Sequence, residues 1–513
     1  MELKIEVGFL SKDELSYELV CRGMPIGTVD VMRKILRQLM RLEKDQSTVS
    51  VPTYPFTFEQ DLDAVNSKIV DLKQAVSLFS DSETSLAYKK LQTKEKMSNN
   101  STQYEISTIT QNVIENAIKN LNIQNYTTNT TLAMKPGQNW VSVILKIKVD
   151  GEGKNNQKTS LNFFVKVAPV EHGIRNFFSV PQMFKREVYI YDKIIPEFIK
   201  IQKENNINPI FQPFVKFHGY TLTQCNEVIV MDDMNRLGYL SYDAQKYVDY
   251  EHALMYMQTI GKFHALALAI KDQKPNLFNE YRRNTKETII SVSSAMRKTM
   301  IDLMTEGVER LNTKGYTVEY EKYKKLMKKY PDIVLEVLCN RDAGPYIVIS
   351  HGDSQIRNVL FKYENTSAPN HPTNICLLDW QVGFIGSPVY DLSFFIFSNT
   401  NKSLRDNHYH MLINEYYRSL STFLRKLGSN PKKMFSFETL QDHLKKFSLF
   451  GVLAGVWVSL GKIYEVNEHP KIFTTIDENQ MSNKFKEEPK DSKAYFAAVE
   501  DILLDYISYG YDI

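Results

Sequence analysis

The stretch Ile349-Ser350-His351-Gly352-Asp353-Ser354-Gln355-Ile356-Arg357-Asn358-Val359-Leu360-Phe361, taken with Asn374-Ile375-Cys376-Leu377-Leu378-Asp379-Trp380-Gln381, decides how the chain folds. The apolar run from Tyr346 to Ser350 reads as a buried strand that ends in a polar loop. Val359 to Tyr363 and Asn374 to Leu378 are short and β-prone, and the Asn/Pro-rich segment Glu364 to Thr373 separates them. The unit therefore reads as a hairpin with a long loop. Symmetric pairing sets Tyr363 opposite Asn374 and Val359 opposite Leu378, and one step outward it puts Asn358 beside Asp379. A carboxylate plus an amide oxygen suits Mg²⁺, which takes a few protein oxygens and completes its shell with water and substrate phosphates. Asp353, on the loop feeding the hairpin, is then placed to accept a hydroxyl proton.

HGDxxxxN followed by the strand-end aspartate of Leu377-Leu378-Asp379-Trp380-Gln381 resembles the catalytic core of the aminoglycoside/choline phosphotransferases, relatives of the protein kinases. The continuation Gly386-Ser387-Pro388-Val389-Tyr390-Asp391-Leu392-Ser393-Phe394-Phe395 is similar to the ecdysteroid-kinase-like branch found in insects and other animals. HGD alone marks any tight turn. The specific signal is the order HGDxxxxN, hairpin, DWQ, GSPxxDL. The resemblance spans about Ile106 to Ile513 and implies an α+β, two-lobed protein-kinase-like fold, with a small antiparallel-sheet lobe and a large helical lobe. It further implies ATP and Mg²⁺ as cofactors and transfer of the terminal phosphate to an alcohol. In those terms Asp353 is the catalytic base, and Asn358 and Asp379 are the metal ligands. The family often carries Trp two residues after the HGD aspartate; this chain has Gln355, which alters the acceptor side and leaves the base and metal positions intact.

Composition agrees with a globular protein. The 513 residues are 43% hydrophobic and 24% charged, and the net charge of +3 offers no nucleic-acid footprint. Cys21, Cys225, Cys339 and Cys376 are far apart and match no zinc spacing, which points to reduced thiols and a cytoplasmic location. Met-Glu-Leu-Lys opens without a signal-peptide pattern. The longest apolar run, Phe447 to Leu460, is shorter than the ~20 residues of a membrane span and reads as a buried helix.

Residues 1–90 read as a helical appendage. Ser11-Lys12-Asp13-Glu14 is a capping box, and Thr28 can cap a second helix bearing Ile35, Leu39 and Leu42 on one face. Leu62, Val65, Ile69, Leu72, Val76 and Phe79 form a heptad seam of under three repeats, enough only for weak self-association through 62–79. Leu10 to about Glu43 resembles the helical leader of insect retroelement Gag-type proteins; a nucleic-acid role there would rest on the local arginines. The polar stretch 91–105 reads as a linker, and Met97 within it is a candidate start for a self-sufficient kinase module.

The expected small lobe is 106–234, with a helix at Ile109 to Leu121 and paired strands at Val143 to Val149 and Leu161 to Val167. In the family's terms Gly137 allows close backbone approach to nucleotide phosphates and Ser142 offers a phosphate hydrogen bond; Gly137 otherwise serves as a turn residue. Lys166 sits in Phe163-Phe164-Val165-Lys166-Val167, where a strand lysine ordinarily faces solvent. The resemblance instead makes it the phosphate-contacting lysine, paired with Glu187 in an F-x-x-E-x-x-x-Y helix. Glu227 to Met234 resembles the last strand entering the hinge, with backbone groups at Asp232, Asp233 and Met234 to hold adenine.

The expected large lobe, 235–513, is helical: Tyr250 to Ile270, Lys286 to Leu311, Glu319 to Leu338 with a break at Pro331, Ser403 to Leu427, Phe437 to Tyr464, and Lys493 to Tyr509. His264 shares an apolar face with Ala253, Met257, Ile260 and Leu268 and reads as a core histidine; His351 reads as structural. Asp391 is expected to cap the segment after Pro388 and tie down the loop. Arg357 is open to either a phosphate or a surface carboxylate. The resemblance favours an ecdysteroid as acceptor, against a choline/aminoglycoside-type or xenobiotic alcohol. The reading from another class is a non-catalytic, pseudokinase-like binding module, against which stand the intact Lys166, Asp353, Asn358 and Asp379. Tyr242, Tyr256, Phe394, Phe395, Phe397 and Trp457 are the aromatics available to an apolar acceptor.

Overall fold

A computed structural model describes residues 106–133, 141–170, 174–175, 178–285, 294–328, 343–364, 371–463 and 492–511. The appendage with its Gag-like leader and heptad seam, the linker, Gly137, Pro331, Cys21 and Cys339 lie outside the described residues.

The chain enters through α1 (Thr108–Asn120), whose first turn is closed by the Ser107 side chain accepting from Thr110 N–H. Strands β1 (Gln124–Leu132), β2 (Val143–Glu152) and β3 (Lys158–Val167) follow. Helix α2 (Val180–Tyr189) runs through a wide π turn at Ile190–Ile194 into α3 (Ile195–Glu204). Then β4 (Phe217–Thr221) and β5 (Val228–Asp232) complete an antiparallel sheet of order β1-β2-β3-β5-β4. Alternation fixes its faces: Leu145, Ile147, Val149, Phe163, Val165, Val228 and Val230 bury against Ile114, Ala117 and Ile118 of α1. Lys166, one residue out of phase with Val165, is on the other face.

After a short turn at Met234–Leu237 and β6 (Tyr239–Ser241), the chain becomes mainly helical. Helices α4 (Tyr250–Gln273), α5 (Pro275–Asn284), α6 (Ser294–Thr313) and α7 (Thr317–Lys328) lead to β7 (Val348–Ser350). The hairpin strands β8 (Val359–Tyr363) and β9 (Pro372–Leu377) join β6 in a three-stranded sheet, and β10 (Phe384–Gly386) pairs with β7. The remainder is α8 (Val389–Asn399), α9 (Lys402–Lys426), α10 (Pro431–Met434), α11 (Phe437–Phe447), α12 (Leu449–Ile463) and α13 (Lys493–Ser508). A small sheet lobe followed by a larger helical lobe is the two-lobed α+β fold the motifs imply.

One strand has no counterpart in the sequence reading, and two expectations are corrected. The polar edge strand β1, Gln-Asn-Tyr-Thr-Thr-Asn-Thr-Thr-Leu, is mostly exposed and carries no alternation to announce it. Phe437 to Tyr464 is two helices: the chain bends by 54° at the break between α11 and α12. Helix α11 buries one stripe (Leu440, His443, Leu444, Phe447), whereas the α12 residues Val452 to Val456 are all buried, so a straight continuation could not bury both. The hairpin register is one residue off: Val359 pairs with Leu377 and Lys362 with Asn374, because the ladder slips again where Tyr363 meets Pro372, which has no N–H to give. No single helix among the described residues is long and apolar enough to cross a membrane.

Helix α12 lies against α8 through Gly451, where a Cβ would sit 2.3 Å from the Ser393 carbonyl. Gly451→Ala must push the two helices apart in a packed core, so we expect a loss of roughly 1–3 kcal/mol of unfolding free energy by urea titration.

Candidate active site

The loop after β7 is polar backbone held in an apolar interior, so its N–H groups need partners. Asp391, in the first turn of α8 and fully buried, supplies them: it accepts from His351 N–H (2.7 Å), Gly352 N–H (2.8 Å) and Ser354 Oγ (3.1 Å). Its other contact is His264 Nε2 at 3.0 Å, and Tyr416 OH holds the far ring nitrogen of His264 at 2.9 Å. Burial alone would raise the Asp391 carboxyl, but the His264 hydrogen bond and charge, with His351 and the Gly352 N–H, outweigh it and hold it below the usual carboxylate range. Asp391 thus ties down the loop as expected, but from inside the helix: the N-cap is Pro388. Gly352 has φ +82°, and a Cβ there would meet the Val382 carbonyl oxygen at 2.3 Å, so only glycine fits the turn.

Two further ties set the loop's far half. Asn399, at the end of α8, accepts from Ile356 N–H (2.8 Å) and donates to the Ser354 carbonyl (2.9 Å). His351 Nε2 lies 2.8 Å from the Leu378 carbonyl, which links the loop to the exit of the hairpin. His351 and His264 are both structural here.

Asp353, Asn358 and Asp379 come together. Asn358 Nδ2 donates to the Asp353 carbonyl at 3.1 Å, and its side chain is near enough to the Asp353 carboxylate to stabilise the charged form. Asp379 is close enough that its charge, after burial, raises the Asp353 carboxyl above its usual value, with His351, Gln355 and Asn358 opposing. The corrected register would carry Asp379 to the wrong face if the strand simply continued. Instead Asp379 leaves it at φ +65°, a left-handed conformation that Asp tolerates, and its carboxylate meets Lys166.

Lys166 is 3% exposed, and its Nζ is 2.7 Å from Glu187 Oε2, 2.8 Å from Asp379 Oδ1 and 3.3 Å from Gln381 Oε1. The solvent-facing alternative for this lysine is therefore excluded. Burial pulls the ammonium down, but the two carboxylates outweigh it and hold it above its ordinary value. Burial pushes Glu187 up to about 7, with Asp379 adding to it and Lys166 opposing, because one ammonium serves two carboxylates. Gln381, which also donates to Asp379 Oδ2 at 3.3 Å, went unassigned in the sequence. Its place in Asp-Trp-Gln, two residues after a candidate ligand, was the available signal.

Ser142 stands where β2 begins, buried, with its Oγ lacking a partner among the described residues, which fits a phosphate oxygen as acceptor. At the hinge the Asp232 N–H donates to Lys216 O and the Asp233 N–H to Asn162 O, so neither is available to adenine. Asp233 instead caps the turn that starts at Met234. Arg357 packs with Nη2 3.4 Å from where a Cβ of Gly461 would be; burial lowers its guanidinium, with the charge of Asp353 opposing.

The motif order, the two lobes and this arrangement match one family. The profile of the ecdysteroid kinase-like family covers residues 136–429, more than half of the chain. The chain belongs to the ecdysteroid kinase-like family. At the coarse level that membership fixes, it is a small-molecule kinase. No curated protein matches the chain. Among solved structures, a microcompartment-associated aminopropanol kinase matches with TM-score 0.34 and 11% identity, over 77% of this chain and 97% of its own. The GDP complex of wild-type aminoglycoside 2'-phosphotransferase-IIIa matches with TM-score 0.29 and 13% identity, over 78% and 97%. A point mutant of that enzyme gives 0.30 and 12%, over 74% and 98%. Likenesses of that size decide nothing about chemistry.

The donors present fit magnesium. Asn358 Nδ2 donates to the Asp353 carbonyl and no hydrogen bond among the described residues uses its Oδ1, which leaves that oxygen to coordinate, and the Asp379 side chain is 19% exposed. Among the described residues no group of three or more His, Cys, Asp or Glu could hold a metal, so an ion here must draw its other ligands from water and nucleotide.

A carboxyl raised to about 7 binds a proton in the folded protein that the unfolded chain releases near 4.5. The stabilisation this gives is complete below pH 4.5 and lost as pH rises through 7. Against Glu187→Gln, the wild-type protein should lose on the order of 2–3 kcal/mol of unfolding free energy between pH 4.5 and 8, measured by urea titration at each pH.

Proposed function

We propose that the chain transfers the terminal phosphate of ATP, with Mg²⁺, to a hydroxyl of a small apolar alcohol, and that the acceptor class is the ecdysteroids. The observation that carries the reading is that Lys166, Asp353, Asn358 and Asp379, drawn from β3, the loop, the turn before β8 and the exit of β9, meet at one place. In this reading 106–234 is the nucleotide-binding lobe and 235–513 the acceptor-binding lobe, and the protein acts in the cytoplasm.

Asn358 Oδ1 and the Asp379 carboxylate would hold the magnesium, which when bound would neutralise charge at the terminal phosphates. Lys166 contacts phosphate oxygens, Glu187 keeps Lys166 aimed, and the Ser142 hydroxyl donates to a phosphate oxygen. Asp353 takes the proton of the acceptor hydroxyl as that oxygen bonds to the terminal phosphorus. The bond from this phosphorus to the bridging oxygen breaks, and ADP leaves with the electron pair. A base whose pKa is raised by burial takes this proton more readily than an ordinary aspartate.

The apolar body of the acceptor has fewer aromatic partners than the sequence offered. Tyr256, Phe394, Phe395 and Phe397 are buried, with Tyr256 stacked on Phe395 at 3.8 Å, so they are core. Tyr242 and Trp457 pack against the core but are only half-buried.

The test is a phosphotransfer assay with ATP and Mg²⁺ against ecdysteroids, choline and xenobiotic alcohols. Asp353→Ala should lower turnover by about 10²–10⁴ and leave ATP binding in place. Full activity in that variant would remove Asp353 from the reaction, and no transfer to any alcohol would remove the kinase reading.

A further inference from the structure

Gln355 is the residue through which this chain departs from the family's pattern, and its side chain lies on the proposed base. Its Nε2 is 2.7 Å from Asp353 Oδ1 and 2.9 Å from Asp353 Oδ2. An ionised carboxylate only accepts, so the amide nitrogen must face Asp353 and the amide oxygen must face away. No hydrogen bond uses Gln355 Oε1 among the described residues, and the residue is half-buried, so this acceptor stays within reach of a ligand.

The amide cannot drift from that place by backbone motion. Asn399 pins the residues on both sides, accepting from Ile356 N–H and donating to the Ser354 carbonyl, and the Gln355 carbonyl itself accepts from Asn358 N–H at 3.0 Å. A carboxylate oxygen and an amide oxygen are thus held one hydrogen-bonded contact apart on one rigid turn. The first accepts from the hydroxyl that reacts. The second accepts from a donor beside it.

We propose that Gln355 is a positioning and specificity residue for the acceptor: its Nε2 holds the Asp353 carboxylate in place, and its Oε1 receives a second hydroxyl on the carbon next to the one phosphorylated. The preferred acceptor is then a vicinal diol rather than an isolated alcohol. This rests on the phosphotransfer reading of Asp353 and names the substrate class for that site. An acceptor lacking the second donor leaves the Gln355 oxygen without a partner once the site closes over it, which is where discrimination arises.

The experiment measures binding by calorimetry, with Mg²⁺ and a non-hydrolysable ATP analogue present. Three matched steroids are compared: one with hydroxyls on neighbouring carbons, one with a hydrogen in place of one of them, and one with that hydroxyl methylated. The wild-type protein is expected to bind the diol about 5- to 30-fold tighter than the other two, the worth of one hydrogen bond. Gln355→Met, close in volume but with neither N–H nor carbonyl, is expected to bring the ratio to about 1 while the nucleotide analogue binds as before. A ratio near 1 in the wild-type protein overturns the proposal without recourse to any variant. So does an undiminished ratio in Gln355→Met, or failure of all three steroids to bind. Phosphotransfer from ATP, followed on the same steroids, separates the two readings. Diol preference without transfer sinks the kinase reading alone, and transfer without diol preference sinks the role of Gln355 alone.

Discussion

One ammonium group shared by two carboxylates holds the site together. Lys166 comes from the sheet, Glu187 from α2 and Asp379 from the exit of the hairpin, and a single buried charge satisfies both acids. Removing Lys166 would leave two buried carboxylates without a counter-charge, which costs several kcal/mol, so the ammonium fixes the three elements with respect to one another. The sharing also leaves the triad one negative charge in excess, with the Asp353 carboxylate adding to it from close by. Burial raises both Glu187 and Asp353, that surplus adds to it through Asp379, and it suits a place meant to receive a cation.

The second constraint works from behind. Helix α8 is buried along its whole length, yet Asp391 and Asn399, one near each end, are polar. Both face the loop 351–358 and take up backbone and side-chain groups that would otherwise lie unpaired among Phe, Tyr and Trp side chains. The loop therefore owes its shape to a core helix, while at its tip the Gln355 amide nitrogen lies on the Asp353 carboxylate. His264 belongs to the same device, passing the Asp391 carboxylate on to Tyr416 on α9.

What could be read from the chain follows this division. The hairpin, the loop motif and the apolar segment after Gly386-Ser387-Pro388 were legible because each couples a turn residue to a short β-prone or apolar run. The register was not. A one-residue slip depends on where Pro372 can pair, and Asp379 recovers its aim only through a left-handed backbone that no pattern announces. Strand β1 was invisible because an exposed edge needs no apolar face, and the α11–α12 bend because it is set by which side chains find a core. Gln381 and the internal placement of Asp391 were hidden for a simpler reason: spacing gives the neighbours of a residue along the chain, and these two act across it.

The packing also limits how an acceptor can be recognised. Tyr256, Phe395 and Phe397 are committed to the core, so few large rings remain to grade one apolar skeleton from another. Apolar contact responds to the size of a skeleton and not to where its hydroxyls stand, whereas a site that hydrogen-bonds a particular hydroxyl leaves its own oxygen unpaired when that hydroxyl is missing. A rigid turn that displays oxygen acceptors beside the proposed base is built for the second kind of choice. In such a site the skeleton supplies affinity through burial, and the arrangement of its hydroxyl groups decides whether it is phosphorylated.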